Sequence, residues 1–128
     1  VTVRTIRVNV GIVGSRTFTD QKLLDEAMER THPLLIDAIV TGGAVGADTL
    51  GAVWAERVGI PVITHTPNSE RYGWPRAAFE RNSLIVRDSD MLVAFFGPDQ
   101  PPSVNKSGTM DTVRKAIAKR IPVHLYFE

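Results

Sequence analysis

The sequence predicts an α/β fold, a three-layer sandwich of about five parallel strands with helices on both faces. Three observations predict it. Apolar runs of strand length alternate along the chain with stretches whose apolar residues recur at helical spacing. The best of these runs are apolar throughout, as strands buried on both faces must be. Glycine-containing turns follow strands and open helices, which places them together on the rim where parallel sheets hold ligands.

Each element has its own local cause. Ile6, Val8, Val10, Ile12 and Val13 make a first strand over Thr5 to Val13, which Gly14-Ser15-Arg16 breaks. Thr19 or Asp20 caps a first helix with the stripe Leu23, Leu24, Ala27 and Met28, closed by Pro33 after Thr31. Ala38-Ile39-Val40 is the second strand. The second helix, Thr49 to Val58, carries Leu50, Val53, Trp54 and Val58. Gly59-Ile60-Pro61 leads into a short strand, Val62-Ile63-Thr64, and His65 to Pro75 is a polar loop holding Tyr72 and Trp74.

Pro75 suits the first turn of a third helix that runs through Arg87. Met91 to Phe96 is the fourth strand, and Gly97 to Lys106 is a second long loop. Gly108 to Arg120 is the fourth helix, with Met110, Val113 and Ile117 expected to face inward, and Pro122 to Phe127 is the last strand.

Composition narrows the function classes. The chain has 128 residues, enough for one core, so residues 1–128 are read as a single domain. It has no cysteine, which removes disulfides, thiolate metal sites and a cysteine nucleophile and suits the cytoplasm. A net charge of +1 gives no global pull toward nucleic acid or membrane. The apolar runs are too short to span a bilayer, and the start lacks the pattern of a signal peptide.

The stretch Thr41-Gly42-Gly43-Ala44-Val45-Gly46-Ala47-Asp48 is the centre of the organisation. It joins a strand to a helix, glycines admit close approach, and free amides at a helix start favour an anion. Gly42, Gly43 and Gly46 are therefore candidate phosphate-binding positions. The alternative is a plain strand-to-helix turn in which Asp48 caps or charges the first helical turn. Gly14-Ser15-Arg16 and Ser107-Gly108-Thr109 fall on the same rim, and Arg16 adds a cation.

Arg81 and Asn82 fall within apolar stripes of the third helix rather than on a solvent face. Such groups need partners, either a ligand or a carboxylate such as Asp48 or Asp90. His32, His65 and His124 show no metal-ligand spacing and are read as structural. Arg114, Lys115, Lys119 and Arg120 read as a solvated face.

The motifs GSRTFTD at Gly14 to Asp20, TGGAVGAD at Thr41 to Asp48, the Arg81-Asn82 pair and KSGTMDTVRKA at Lys106 to Ala116 together resemble the SLOG superfamily, nearest its YspA/YpsA-related branch. The resemblance covers nearly the whole chain. It implies a Rossmann-like sheet, a homodimer or larger assembly, and a pocket for a nucleotide or nucleotide-derived ligand. LOG-type relatives are phosphoribohydrolases that cleave nucleoside monophosphates at the glycosidic bond, and the DNA-processing protein A branch binds single-stranded DNA.

The chain departs from the hydrolase pattern at one position, with Thr112 where LOG-type enzymes carry glutamate and Asp111 one residue early. On a helix that is a rotation of about 100°, which groups Asp111 with Arg114 and Lys115 and Thr112 with Thr109 and Ala116. The expected function is nucleotide binding by Gly14, Ser15, Arg16, Gly42, Gly43, Gly46, Asp48, Arg81, Asn82, Ser107, Gly108 and Thr109. No metal or separate cofactor is implied. Two alternatives stand beside it: a nucleoside-monophosphate glycosidase with Asp48 as its acid, and a single-stranded DNA module. The second is disfavoured by the near-neutral charge.

Overall fold

The computed structural model describes residues 7–31, 35–98 and 108–128. The elements are β1 (Arg7–Gly14), α1 (Gln21–Thr31), β2 (Leu35–Thr41), α2 (Ala47–Val58) and β3 (Val62–Thr64). They continue with α3 (Ser69–Tyr72), α4 (Arg76–Asp88), β4 (Met91–Phe96), α5 (Gly108–Lys119) and β5 (Val123–Phe127). The expected strand residues Thr5 and Ile6, His32 with Pro33, and most of the second long loop lie outside the described residues.

All five strands are parallel, in the order β3-β2-β1-β4-β5. The chain moves outward from β1 to β3 and then returns to place β4 on the other side of β1. The strand order therefore reverses between β1 and β4, and a crevice opens beyond their carboxyl ends.

Side-chain alternation on the central strands divides the core in two. Val93 and Phe95 of β4 join Val10, Ile12 and Ile39 beneath Leu24, Met28 and Trp54 of α1 and α2. Leu92, Ala94 and Phe96 face the other way, with Val13 and Val40, against Ile85, Val86, Val113 and Ala116 of α4 and α5. Every residue of β4 is buried, which accounts for its uninterrupted apolar run. Each large aliphatic side chain so buried contributes about 1.5–3 kcal/mol of transfer free energy.

Several local details were not set by periodicity. Asp20 supplies the cap of α1, its Oδ1 accepting the Leu23 amide at 3.0 Å. The polar loop after β3 contains the single turn α3, whose Arg71 amide donates to Asn68 Oδ1 at 3.1 Å. The expected inward position of Ile117 is corrected: it is 60 % exposed, and α5 instead buries Thr109, Thr112, Val113 and Ala116. The inward face of this helix is therefore narrower and more polar than an aliphatic stripe.

The basic face of α5 is likewise more engaged than its composition suggests. Lys119 Nζ donates to the carbonyls of Val86, Arg87 and Ser89 at 2.8, 3.0 and 3.1 Å. These carbonyls lie at and just beyond the end of α4, where Val86 O also accepts the Ser89 amide. Among the described residues, no helix is long and apolar enough to cross a membrane.

Candidate functional site

The glycine loop is held by its own aspartate. Asp48, in the first turn of α2, turns its carboxylate back so that Oδ2 accepts the Gly42 amide at 2.9 Å and the Ala44 amide at 3.4 Å. Gly43 N donates to Thr41 Oγ1 at 3.3 Å. Amides expected from the sequence to face a phosphate are thus already engaged within the chain. Gly46 has φ 85°, and an added Cβ would lie 2.3 Å from the Ser15 carbonyl oxygen. Only glycine combines that left-handed backbone with so close an approach.

Ser15 locks the neighbouring turn. Its carbonyl accepts the Ala47 amide at 3.3 Å, its amide donates to Phe95 O at 3.0 Å, and its Oγ accepts the Gly97 amide at 2.7 Å. The ends of β1 and β4 and the start of α2 are stitched together through this one residue. Ser15 is buried, so its hydroxyl serves this join.

Arg81 and Asn82 resolve the polar stripe of α4. Arg81 donates from NH1 to Gly42 O and from Nε to Asn82 Oδ1, both at 2.9 Å. Neither Asp48 nor Asp90 is its direct hydrogen-bond partner; Asp90 accepts the Asn9 amide instead. Asn82 Nδ2 donates to Gly108 O at 3.3 Å and to Asp111 Oδ2 at 3.1 Å. Lys115 completes the chain by donating to Asp111 Oδ2 at 2.7 Å. A continuous polar path thus joins α5, α4 and the glycine loop.

These elements enclose a cleft of about 430 Å³ at the carboxyl end of β1. Of the residues expected from the sequence, Gly14, Ser15, Arg16, Asp48, Arg81, Asn82, Gly108 and Thr109 line it. Gly42, Gly43 and Gly46 are not part of the lining; they shape the loop behind it. Ser107 lies outside the described residues. Ala44, Ala78, Phe79 and Thr112 also line the cleft, though none was named as a site residue. Ala44 belongs to the glycine loop already singled out and Thr112 shares the helix face of Thr109, whereas Ala78 and Phe79 depend on how α4 crosses the sheet.

Charge is unevenly placed in this cleft. Burial pushes the Asp48 carboxyl up to about 6, against the opposing effects of the Ala44 and Gly42 amides and the Arg81 guanidinium. Burial also pushes Arg81 below its ordinary value, Asp48 opposing and Arg16 adding to the effect. Arg16 is exposed at the mouth. Away from the cleft, His65 Nε2 lies 2.7 Å from Asp88 Oδ2, and Arg87 also holds that carboxylate. Among the described residues, no three His, Asp or Glu side chains converge as a metal site requires.

The model of the YspA, cpYpsA-related SLOG family matches residues 8–72. The chain belongs to this SLOG family. The matched span contains β1 to α3, with both the Gly14–Arg16 turn and the Asp48 loop, whereas Arg81, Asn82 and α5 lie beyond it. No curated protein matches the chain. The SLOG fold is shared with DNA processing protein A (DprA) from Streptococcus pneumoniae, whose X-ray structure superposes with a TM-score of 0.72 at 18 % identity. The match covers 92 % of this SLOG chain but 50 % of the DprA chain, so it spans about half the length of that protein.

Proposed function

We propose that this SLOG protein binds a nucleotide or nucleotide-derived ligand in the cleft beside β1. Its phosphate would sit at the start of α5, against Gly108 and Thr109, with Arg16 beside it and Ser107 preceding in sequence. Arg81 and Asn82 would set the wall of the site, with Asp48 facing the polar, uncharged part of the ligand. The observation that carries the reading is a helix start and an arginine sharing one cleft with a buried carboxylate. That combination suits a molecule with an anionic end and hydrogen-bond donors nearby.

Native mass spectrometry of the purified protein, followed by calorimetric titration with a panel of nucleoside 5′-monophosphates, tests it. Expected is a retained or added mass of nucleotide size and saturable binding. Absence of both overturns the reading. Chromatography of the same mixtures for free base tests the enzymatic alternative, an N-glycosidase in which Asp48 would donate the proton.

A second reading, a single-stranded nucleic acid, is favoured by one surface feature. Trp74 is 64 % exposed, and the Arg71 and Arg76 guanidinium carbons lie 5.2 and 5.1 Å from the centre of the Tyr72 ring. Aromatic faces beside arginines are what stacked bases use. Binding of a labelled oligonucleotide lost on Trp74→Ala would support it.

A further inference from the structure

Asp48 uses only half of its carboxylate on the chain. Both the Gly42 and Ala44 amides go to Oδ2, and no hydrogen bond to Oδ1 is present among the described residues. The residue is only 5 % exposed, and it lines the cleft. A carboxylate oxygen so placed calls for donors from whatever enters. Those donors cannot come from a phosphate, which is an acceptor and carries like charge. In a nucleotide, the donors nearest the phosphate are the hydroxyls of the sugar.

We infer that the cleft selects ribonucleotides over 2′-deoxyribonucleotides, with the ribose hydroxyls donating to Asp48 Oδ1. This rests on the reading of the cleft as a nucleotide site and adds the sugar to it. The Gly42 amide fixes Asp48 from behind, and Arg81, by donating to Gly42 O, fixes the loop that carries that amide. The acceptor is therefore held in place before the ligand arrives, so a missing hydroxyl leaves it unpaired rather than letting it swing to solvent.

The test is a paired titration of the intact protein. Each nucleoside 5′-monophosphate is measured against its 2′-deoxy counterpart by calorimetry, in the wild type and in Asp48→Asn. The wild type is expected to favour the ribose form by roughly tenfold or more, the usual worth of a hydrogen bond to a charged group. Asp48→Asn should narrow that ratio to about twofold, because its neutral side chain is a weaker acceptor. Equal affinity for both sugars in the wild type overturns this inference while leaving the nucleotide reading intact. A ribose preference that survives in Asp48→Asn removes Asp48 from the role. Absence of binding by either sugar overturns both readings.

Discussion

The carboxylate of Asp48 accepts the backbone amide of Gly42 at 2.9 Å, so the glycine loop closes around an anion supplied by its own helix. The loop has the sequence of a phosphate cradle, yet its amides organise a carboxylate, and that carboxylate in turn faces the cleft. The chemistry open to a ligand is consequently that of a fixed acceptor on one side and a helix start with Arg16 on the other.

Ionised Asp48 is a cost to the fold. Its carboxyl is raised from 3.8 to about 6 by burial. The stabilisation this represents is complete below the unfolded value and is lost as pH rises through the folded one. Asp48→Asn resembles the protonated form and escapes the loss. The variant should gain about 2 to 3 kcal/mol relative to wild type between about pH 4 and pH 8, since a tenfold change in proton affinity is worth about 1.4 kcal/mol. Arg81 and Arg16 are the charged groups that face this site. Urea unfolding of both proteins at each pH measures the difference, and parallel stability curves would refute it.

Among the described residues, Arg81 holds the loop without forming an ion pair with a carboxylate. Its two donations, to Gly42 O and Asn82 Oδ1, both stay within the chain. Arg81→Met keeps the apolar stem but loses both, and should destabilise the unliganded protein by about 1.5 to 3 kcal/mol. Arg81→Lys should recover little, because a single ammonium lacks the fork that reaches both acceptors. Chemical denaturation distinguishes this from a purely ligand-facing role, for which unliganded stability would not change.

The layering of the fold was legible because periodicity reports burial directly. Met91 to Phe96 could only be a central strand, and the rotation of Asp111 away from Thr112 followed from helix geometry alone. The partners within the site were not legible. Arg81 suggested a carboxylate or a ligand, whereas a carbonyl 39 residues away received it, and carbonyls leave no mark in sequence. The role of Gly46 was visible as a turn but not as a contact with Ser15 O, because that contact arises only when two loops meet. Ile117 misled for a related reason: periodicity does not fix which stripe of a helix turns inward, and α5 buries Thr109, Thr112, Val113 and Ala116 instead.

Lys119 is expected to act as the terminal cap of α4. Its ammonium bonds three carbonyls at the end of that helix, drawing α5 against it. Lys119→Met keeps most of the stem and loses all three donations, so it should lower stability by about 1 to 2 kcal/mol. Hydrogen exchange should quicken in the last turn of α4 before it does elsewhere. Unchanged protection there would show that the three bonds carry no net stability.

Asn82 makes three side-chain hydrogen bonds, two of which join α4 to α5, and all of its described partners belong to the wall of the cleft or to the helix behind it. Oδ1 receives Arg81, and Nδ2 reaches both Gly108 O, the first described residue of α5, and Asp111. Asn82→Leu is close in volume and should still pack, but it would leave the Arg81 Nε without its acceptor and the start of α5 without its tie to Asn82. The expected cost is about 1 to 3 kcal/mol, the usual penalty for stranding buried polar partners. The effect should be local: amides of 108–112 and of the glycine loop should exchange faster, while those of α1, on the opposite face, should not. Asp111→Asn removes one acceptor but preserves the Gly108 bond, so it should loosen α5 less. Equal loosening in the two variants would mean that Asp111, and not the Gly108 carbonyl, is the contact that positions the start of α5.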